Sequence, residues 1–193
     1  MSIIKQKAVR GLPLEDYLVI DGHNHLGDYR QFNVPDGDAG GMIRTMDRAG
    51  IDRGFLTAHT AAIGPDYKFG NNLVREALAE FPDRFYGYVT INPHYHQEIM
   101  EELESCFAVE GFKGIKLHPS SHNVPIDYRN YEKVYQYAEE KRLPVLIHVY
   151  GRPDVAVIND LASKYKRLNF IMAHGGAYPI AIMDAFEVIH EYD

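Results

Sequence analysis

The stretch Asp21-Gly22-His23-Asn24-His25 places two histidines directly after a short apolar run. The preceding residues 17–20 are apolar and partly β-branched, which predicts a buried strand that ends in polar residues. Because side chains two apart on a strand point to the same face, His23 and His25 can both reach one point beyond the strand. Such a pair is typical of a metal site, although an isolated His-x-His is more often solvated.

Strand and helix patterns alternate along the rest of the chain. Short apolar runs predict five more strands, at residues 53–57, 85–91, 112–118, 145–149 and 169–173. Between them, apolar residues recur at helical spacing, as in Ala39, Met42, Ile43 and Met46. Six successive units of about thirty residues, with near-continuous apolar strands, predict a parallel sheet covered by helices.

The predicted fold is a single α/β domain over residues 1–193, a TIM-type (β/α) barrel. An eight-stranded barrel typically needs about 250 residues, whereas this chain has 193. We therefore expect a barrel that is truncated after about six of its eight strand–helix units. An open doubly wound sheet needs no missing units, but its usual Gly-rich phosphate loop is absent after the first strand.

Composition narrows the functional classes. The formal charge is -7, with acidic and basic residues interspersed, so the sequence offers neither a basic stripe for nucleic acid nor a polybasic membrane patch. Cys106 is the only cysteine, which favours a reducing, cytoplasmic setting. We expect a small-molecule substrate and neither nucleic acid nor membrane as a partner. The exposed edges of an unclosed barrel would also favour a homo-oligomer.

Histidines concentrate at the carboxyl ends of the predicted strands, where nine of the ten lie. The loops at this face of a parallel barrel build active sites. The histidines that end strands are His23, His25, His118, His148 and His174. The others lie in loops, where solvated imidazole is common. Three neutral imidazoles and a water form a catalytic zinc sphere, and His23, His25 and His148 could supply the three.

Lys116 and His118 share one face of the predicted fourth strand and should both point into the barrel. A buried lysine is costly unless it is paired, modified or used in chemistry. Two interpretations stay open at this point. Lys116 forms an internal ion pair with a carboxylate such as Asp21, or it takes a direct part in the reaction.

Four motifs together resemble those of the amidohydrolase superfamily. They are the histidine motif at 21–25, Gly114-Ile115-Lys116-Leu117-His118-Pro119, Leu146-Ile147-His148 and Ile171-Met172-Ala173-His174-Gly175-Gly176. The motifs occur in the right order and cover essentially the whole chain. The sequence is most similar to the amidohydrolase-related branch, which contains metal-dependent hydrolases, lactonases and nonoxidative decarboxylases.

The resemblance implies a divalent metal held by His23, His25 and His148. Zinc is the expected ion, with manganese and iron as alternatives, and one ion is expected rather than two. In two-metal branches a carboxylated lysine on the fourth strand bridges the ions, and by this resemblance Lys116 would be its counterpart. The family also carries an essential aspartate at the end of its eighth strand. The sequence predicts no seventh strand, so no residue here can be assigned that role.

The implied reaction is hydrolysis of a small-molecule amide, lactone or related carbonyl substrate by a metal-activated water. His174 would polarise the carbonyl or protonate the leaving group, while His118 and Arg152 would hold a substrate carboxylate. Nonoxidative decarboxylation is an alternative, as is a catalytically incomplete fragment that only binds metal. A histidinol-phosphatase-like barrel also starts with His-x-His, but the contexts of His118, His148 and His174 fit the amidohydrolase pattern better.

Overall fold

A computed structural model describes residues 2–29, 33–177 and 179–192 of the chain. The strands of this part are β1 (Ile20–Leu26), β2 (Arg53–Ala58), β3 (Phe85–Thr90), β4 (Phe112–Leu117), β5 (Val145–Ile147) and β6 (Phe170–Met172). They form one six-stranded sheet in which every neighbouring pair is parallel and the spatial order is the chain order. The carboxyl ends of all these strands therefore meet at one edge.

Helices precede, connect and follow the strands, and most of them cover the outside of the sheet. They are α1 (Ile3–Val9), α2 (Ala39–Ala49), α3 (His59–Ile63), α4 (Tyr67–Glu80), α5 (Ile99–Phe107), α6 (Glu132–Lys141), α7 (Arg152–Lys164) and α8 (Pro179–Tyr192). Short 3₁₀ helices lie at Pro93–Tyr95, Arg129–Tyr131 and Ala173–Gly176. The sheet curls into a half-barrel, which confirms the predicted TIM-type architecture of about six strand–helix units.

Side chains on each strand alternate between two layers. On β5, Val145 and Ile147 belong to the large outer core against the helices, whereas Leu146 belongs to a small inner cluster. On β4, Ile115 and Leu117 likewise lie in the outer core, so Lys116 between them takes the inner side. Burying one such aliphatic side chain contributes about 1.5–3 kcal/mol, so the outer core determines which face of β4 turns inwards.

A buried hydrogen-bond network joins α4 to β3 and α5. The side-chain nitrogen Nδ2 of Asn71 donates to the Thr90 carbonyl at 3.0 Å and to Glu102 Oε1 at 2.8 Å. The Thr90 backbone N–H in turn donates to Asn71 Oδ1 at 2.9 Å. The Thr90 hydroxyl also shares a hydrogen bond of 2.7 Å with Thr57 on β2. These contacts hold the carboxyl end of β3 in place beside the inner side of β4.

The first strand differs from its predicted position. The sequence predicts a strand at 17–20 that ends before the histidine motif, whereas β1 runs through the motif to Leu26. Tyr17 and Leu18 are 46% and 67% exposed, so the apolar run that suggested the strand is not core. The pairing of β1 with β2 is irregular between Asp21 and Asn24. An irregularity of this kind bends a strand and redirects its side chains.

Helix α8 leaves an apolar stripe uncovered. Its residues Ala181 and Ala185 are buried, but the other side of the helix is exposed. The exposed apolar residues on it are Ile182, Met183, Phe186 and Ile189.

The predicted homo-oligomer and cytoplasmic location stay predictions. Within the described ranges, no helix has both the length and the apolar character that crossing a membrane requires.

We expect Gly70→Ala to lower the free energy of unfolding by about 1–3 kcal/mol, the usual cost of overpacking. A Cβ on Gly70 of α4 would lie 2.4 Å from Cβ and 2.7 Å from the backbone N of Ala61 on α3, so one helix would have to move. Chemical denaturation measures the change. Gly22→Ala is the control, because nothing lies within 4 Å of a Cβ there. Equal stability of Gly70→Ala and wild type would contradict the packing argument.

Candidate active site

Five imidazoles and one lysine meet at the carboxyl edge of the sheet. The ring centroid of His23 lies 5.0 Å from that of His25 and 5.2 Å from that of His174. The His148 ring lies 4.8 Å from His174 and stacks on His118 at 3.9 Å. We call this group the histidine cluster. Its members are His23, His25, His118, His148, His174 and Lys116.

Strand register explains why His118 and His148 stack. Lys116 of β4 is paired with Leu146 of β5, and both lie on the inner side of the sheet. His118 and His148 each lie two residues further along, so they leave adjacent strands on the same side. Ser120 Oγ lies 3.3 Å from His118 Nδ1 and holds the ring from its other side. The pair is therefore a direct product of the parallel ladder.

His174 reaches the cluster through an unusual backbone conformation. It follows β6 with a φ of 61°, and Gly175, Gly176 and Ala177 also have positive φ. Non-glycine residues are uncommon in this region, and holding one there costs about 1–3 kcal/mol. The turn brings His174 Nε2 to 3.2 Å from His148 Nδ1. The two glycines accept the left-handed backbone freely, so the local sequence makes this turn possible.

Lys116 is fully buried beside the imidazoles. Its Nζ lies 3.3 Å from His23 Nε2, within hydrogen-bonding distance. Burial lowers the pKa of Lys116 to about 8. Among the described residues Lys116 forms no ion pair with Asp21, whose carboxylate accepts the backbone N–H of His23 instead. The described residues thus give Lys116 no carboxylate partner, and its chemical role stays a prediction.

Burial and mutual repulsion keep the imidazoles neutral. Burial, followed by the positive charge of Lys116, lowers the pKa of His23 and of His148 to about 4. Burial is also the largest cause for His25 and His118, whose pKa values fall to about 2 and about 3. Neutral imidazole is the form that binds a metal ion. At neutral pH the cluster therefore offers uncharged nitrogen donors around a single ammonium.

The donor chemistry of the cluster fits a divalent metal. Nδ1 of His25 is buried and has no hydrogen-bond partner, which is unusual for a buried polar atom. Two other ring nitrogens face neighbours, since His23 Nε2 lies beside Lys116 and His148 Nδ1 lies beside His174. Within the described part of the chain, no three His, Cys, Asp or Glu side chains converge into a metal-binding group. The three expected ligands therefore carry suitable donor atoms but do not form a metal-binding group in the described structure, and their roles stay predictions.

Arg152 lies outside the contacts that define the cluster. Its side chain, at the start of α7, is 62% exposed, and Nε lies 2.6 Å from a carboxylate oxygen of Asp184 on α8. A second guanidinium nitrogen donates to the other Asp184 oxygen at 3.1 Å. Binding a substrate carboxylate would require this ion pair to open. The predicted substrate-binding role of Arg152 stays a prediction.

His59 lies against the cluster, although sequence reasoning placed it among the solvated loop histidines. Its ring stacks on His25 with a centroid distance of 4.5 Å and an interplanar angle of 5°. The pairing register of β1 and β2 could have identified His59 as a neighbour of His25. His25 is paired with Thr57 of β2, and His59 lies two residues beyond Thr57 on the same face. Recognising this required knowing which residue of β2 faces His25.

A curled parallel sheet with polar side chains at its carboxyl edge is the architecture of a TIM barrel, and this edge is where enzymes of that fold carry their active sites. Residues 20–193 match the family model described as Amidohydrolase, and the chain belongs to this amidohydrolase family. The resemblance seen in the four motifs is thereby confirmed. No curated protein matches the chain significantly.

Solved structures share this fold at low sequence identity. An uncharacterized TIM-barrel protein from Bordetella bronchiseptica has a TM-score of 0.70 and 17% identity, covering 91% of this chain and 73% of that one. A 4-oxalomesaconate hydratase from Rhodopseudomonas palustris has a TM-score of 0.62 and 21% identity, covering 91% and 68%. A 5-carboxyvanillate decarboxylase from Novosphingobium aromaticivorans, in complex with manganese and 4-hydroxy-3-methoxy-5-nitrobenzoic acid, has a TM-score of 0.71 and 18% identity, covering 92% and 71%. These similarities show the fold, while the reaction type differs among the proteins.

In the metal-free protein, we expect Lys116→Met to raise the pKa values of His23 and His148. The ammonium of Lys116 opposes protonation of both rings, so its removal favours their charged forms. An NMR titration of the imidazole signals measures the shifts. Lys113→Met is the matched control, because Lys113 lies on the same strand but is exposed. Unchanged or lower histidine pKa values in Lys116→Met would refute this electrostatic account.

Proposed function

We propose that the protein is a metal-dependent hydrolase that acts on a small-molecule amide, lactone or related carbonyl substrate. The observation that carries this proposal is the histidine cluster, which joins neutral imidazoles and a buried ammonium at the carboxyl edge of the barrel. Membership of the amidohydrolase family supports an enzymatic role for that site. Amidohydrolase-superfamily members are generally dependent on divalent metals.

His23, His25 and His148 would hold a single divalent ion, with zinc as the proposed metal and manganese or iron as alternatives. When bound, such an ion polarises a carbonyl oxygen and lowers the pKa of its water towards about 7. The manganese in the 5-carboxyvanillate decarboxylase structure supports a divalent ion in this fold. The lowered pKa values of the three imidazoles support the same choice, because no proton has to be displaced from them at neutral pH.

The remaining members of the cluster would handle the substrate. His174 is exposed and lies beside His148, so it can approach a bound carbonyl group and protonate a leaving group. Lys116, with its pKa near 8, carries a proton in most molecules at pH 7 and would stabilise negative charge on a substrate oxygen. His118, held by Ser120, would donate a hydrogen bond to a substrate carboxylate.

Nonoxidative decarboxylation is the second candidate, and the environment of Lys116 favours it. A buried ammonium surrounded by neutral imidazoles attracts a substrate carboxylate. None of the cluster members among the described residues is a carboxylate that could accept a proton from an attacking water. A reaction that begins with a carboxylate substrate would use the positive charge directly, whereas in hydrolysis one of the imidazoles would have to accept the proton of the attacking water.

We expect the purified protein to contain about one equivalent of divalent metal, as in one-metal catalytic sites, and His23→Ala/His25→Ala to contain none. Elemental analysis of both folded proteins makes the comparison. His96→Ala/His190→Ala is the control, because it also removes two imidazoles but both are exposed and lie outside the cluster. A folded wild type without metal, even after incubation with zinc, would argue against the proposed function.

A substrate panel distinguishes the two candidate reactions. We expect a lactone or amide in the panel to be hydrolysed, with His174→Asn lowering kcat by about 10²–10⁴-fold, the usual contribution of general acid catalysis. Acid release, followed by a pH indicator, measures lactone hydrolysis, and amine release measures amide hydrolysis. Carbon dioxide release from hydroxybenzoates measures decarboxylation. Lys113→Met should behave like the wild type. Carbon dioxide release without hydrolysis would replace the hydrolase proposal by the decarboxylase.

A further inference from the structure

His59 forms a close, nearly coplanar contact with His25. The two rings are 4.5 Å apart between centroids and only 5° from parallel. His59 is the first residue of α3, at the point where the chain leaves β2, and it is half-buried. The contact therefore joins the carboxyl ends of β1 and β2 directly above their parallel ladder.

The ring of His59 is itself held from two further sides. Its Nδ1 lies 3.0 Å from the carbonyl oxygen of Gly27, just after β1, and would donate a proton to it. The Tyr29 ring packs against it with a centroid distance of 4.8 Å. A side chain held by a hydrogen bond and a second ring has little freedom to rotate. It can therefore act as a fixed surface for the ring stacked on it.

His25 lacks the support that a metal-binding histidine usually has. Such a histidine almost always donates its other ring nitrogen to a carboxylate, carbonyl or water, and this bond fixes the ring orientation. The described structure shows no hydrogen bond at either ring nitrogen of His25, and Nδ1 is buried as well. Its orientation must then depend on the rings packed around it, and among these only His59 is parallel to it in the described structure.

We infer that His59 is a positioning residue that holds the plane of His25 for metal binding by stacking rather than by a hydrogen bond. The inference rests on the proposed function, because that proposal makes His25 a metal ligand. His59 also lines a cavity of about 540 Å³ together with Thr60, Ile63 and Phe69, and removing its ring would enlarge that cavity.

Zinc affinity of the full chain tests the inference. We expect His59→Ala to weaken zinc binding about 10–100-fold, the usual effect of removing a group that orients a ligand. His59→Phe keeps a flat ring but loses the bond to Gly27, and it should stay within a few-fold of the wild type. His96→Ala, an exposed histidine outside the cluster, should bind as the wild type does. Competition with a chromophoric chelator gives the affinities.

A second measurement does not depend on metal. NMR relaxation of the His25 ring in the zinc-free protein should show greater mobility in His59→Ala than in wild type or His59→Phe. Thermal unfolding of each zinc-free variant verifies that it is folded. Wild-type affinity in His59→Ala would overturn the inference and leave the proposed function intact, and equal weakening in His59→Phe would overturn stacking as the cause. A folded wild type that binds no zinc would overturn both proposals.

Discussion

Parallel pairing of consecutive strands is the constraint on which the candidate site depends. Because the spatial order of the strands is their chain order, every strand delivers its carboxyl end to the same edge of the sheet. Residues that are far apart in sequence thereby come together, as in His23 and His174, whose ring centroids lie 5.2 Å apart. Parallel sheets require cover on both faces, and the outer core under the helices supplies it on one side. On the other side, a small apolar cluster lies below the polar site.

The burial of Lys116 sets the electrostatic character of that site. Desolvation alone lowers its pKa, so the cost of burying the ammonium is not balanced by a nearby carboxylate. A group with a pKa of about 8 can release its proton at pH 7 for about 1.4 kcal/mol, the value of one pKa unit. A bound metal cation would repel the ammonium, whereas an anionic substrate would attract it. The protonation state of Lys116 thus links metal binding and substrate binding in the proposed enzyme.

Two imidazoles depend on support that lies outside the strands. His174 is turned towards His148 by a left-handed backbone, which only the glycine-rich turn after β6 allows. His25 is stacked on His59, whose Nδ1 lies 3.0 Å from the carbonyl oxygen of Gly27. In both cases the strand supplies the approximate position, and the turn or helix start that follows a strand supplies the orientation. This division is common in barrels, where rigid strands carry loops that complete the site.

The sequence by itself determined the repeated strand–helix pattern and the six members of the histidine cluster. Both depend on short-range rules, namely the period of apolar residues and the alternation of side chains along a strand. It did not determine where β1 begins, because that boundary is set by pairing with β2 and by the irregularity at 21–24. Nor did it show that Lys116 meets His23 rather than Asp21, or that His59 stacks on His25. Such contacts depend on register between strands and on the path of each loop, which only the tertiary structure decides.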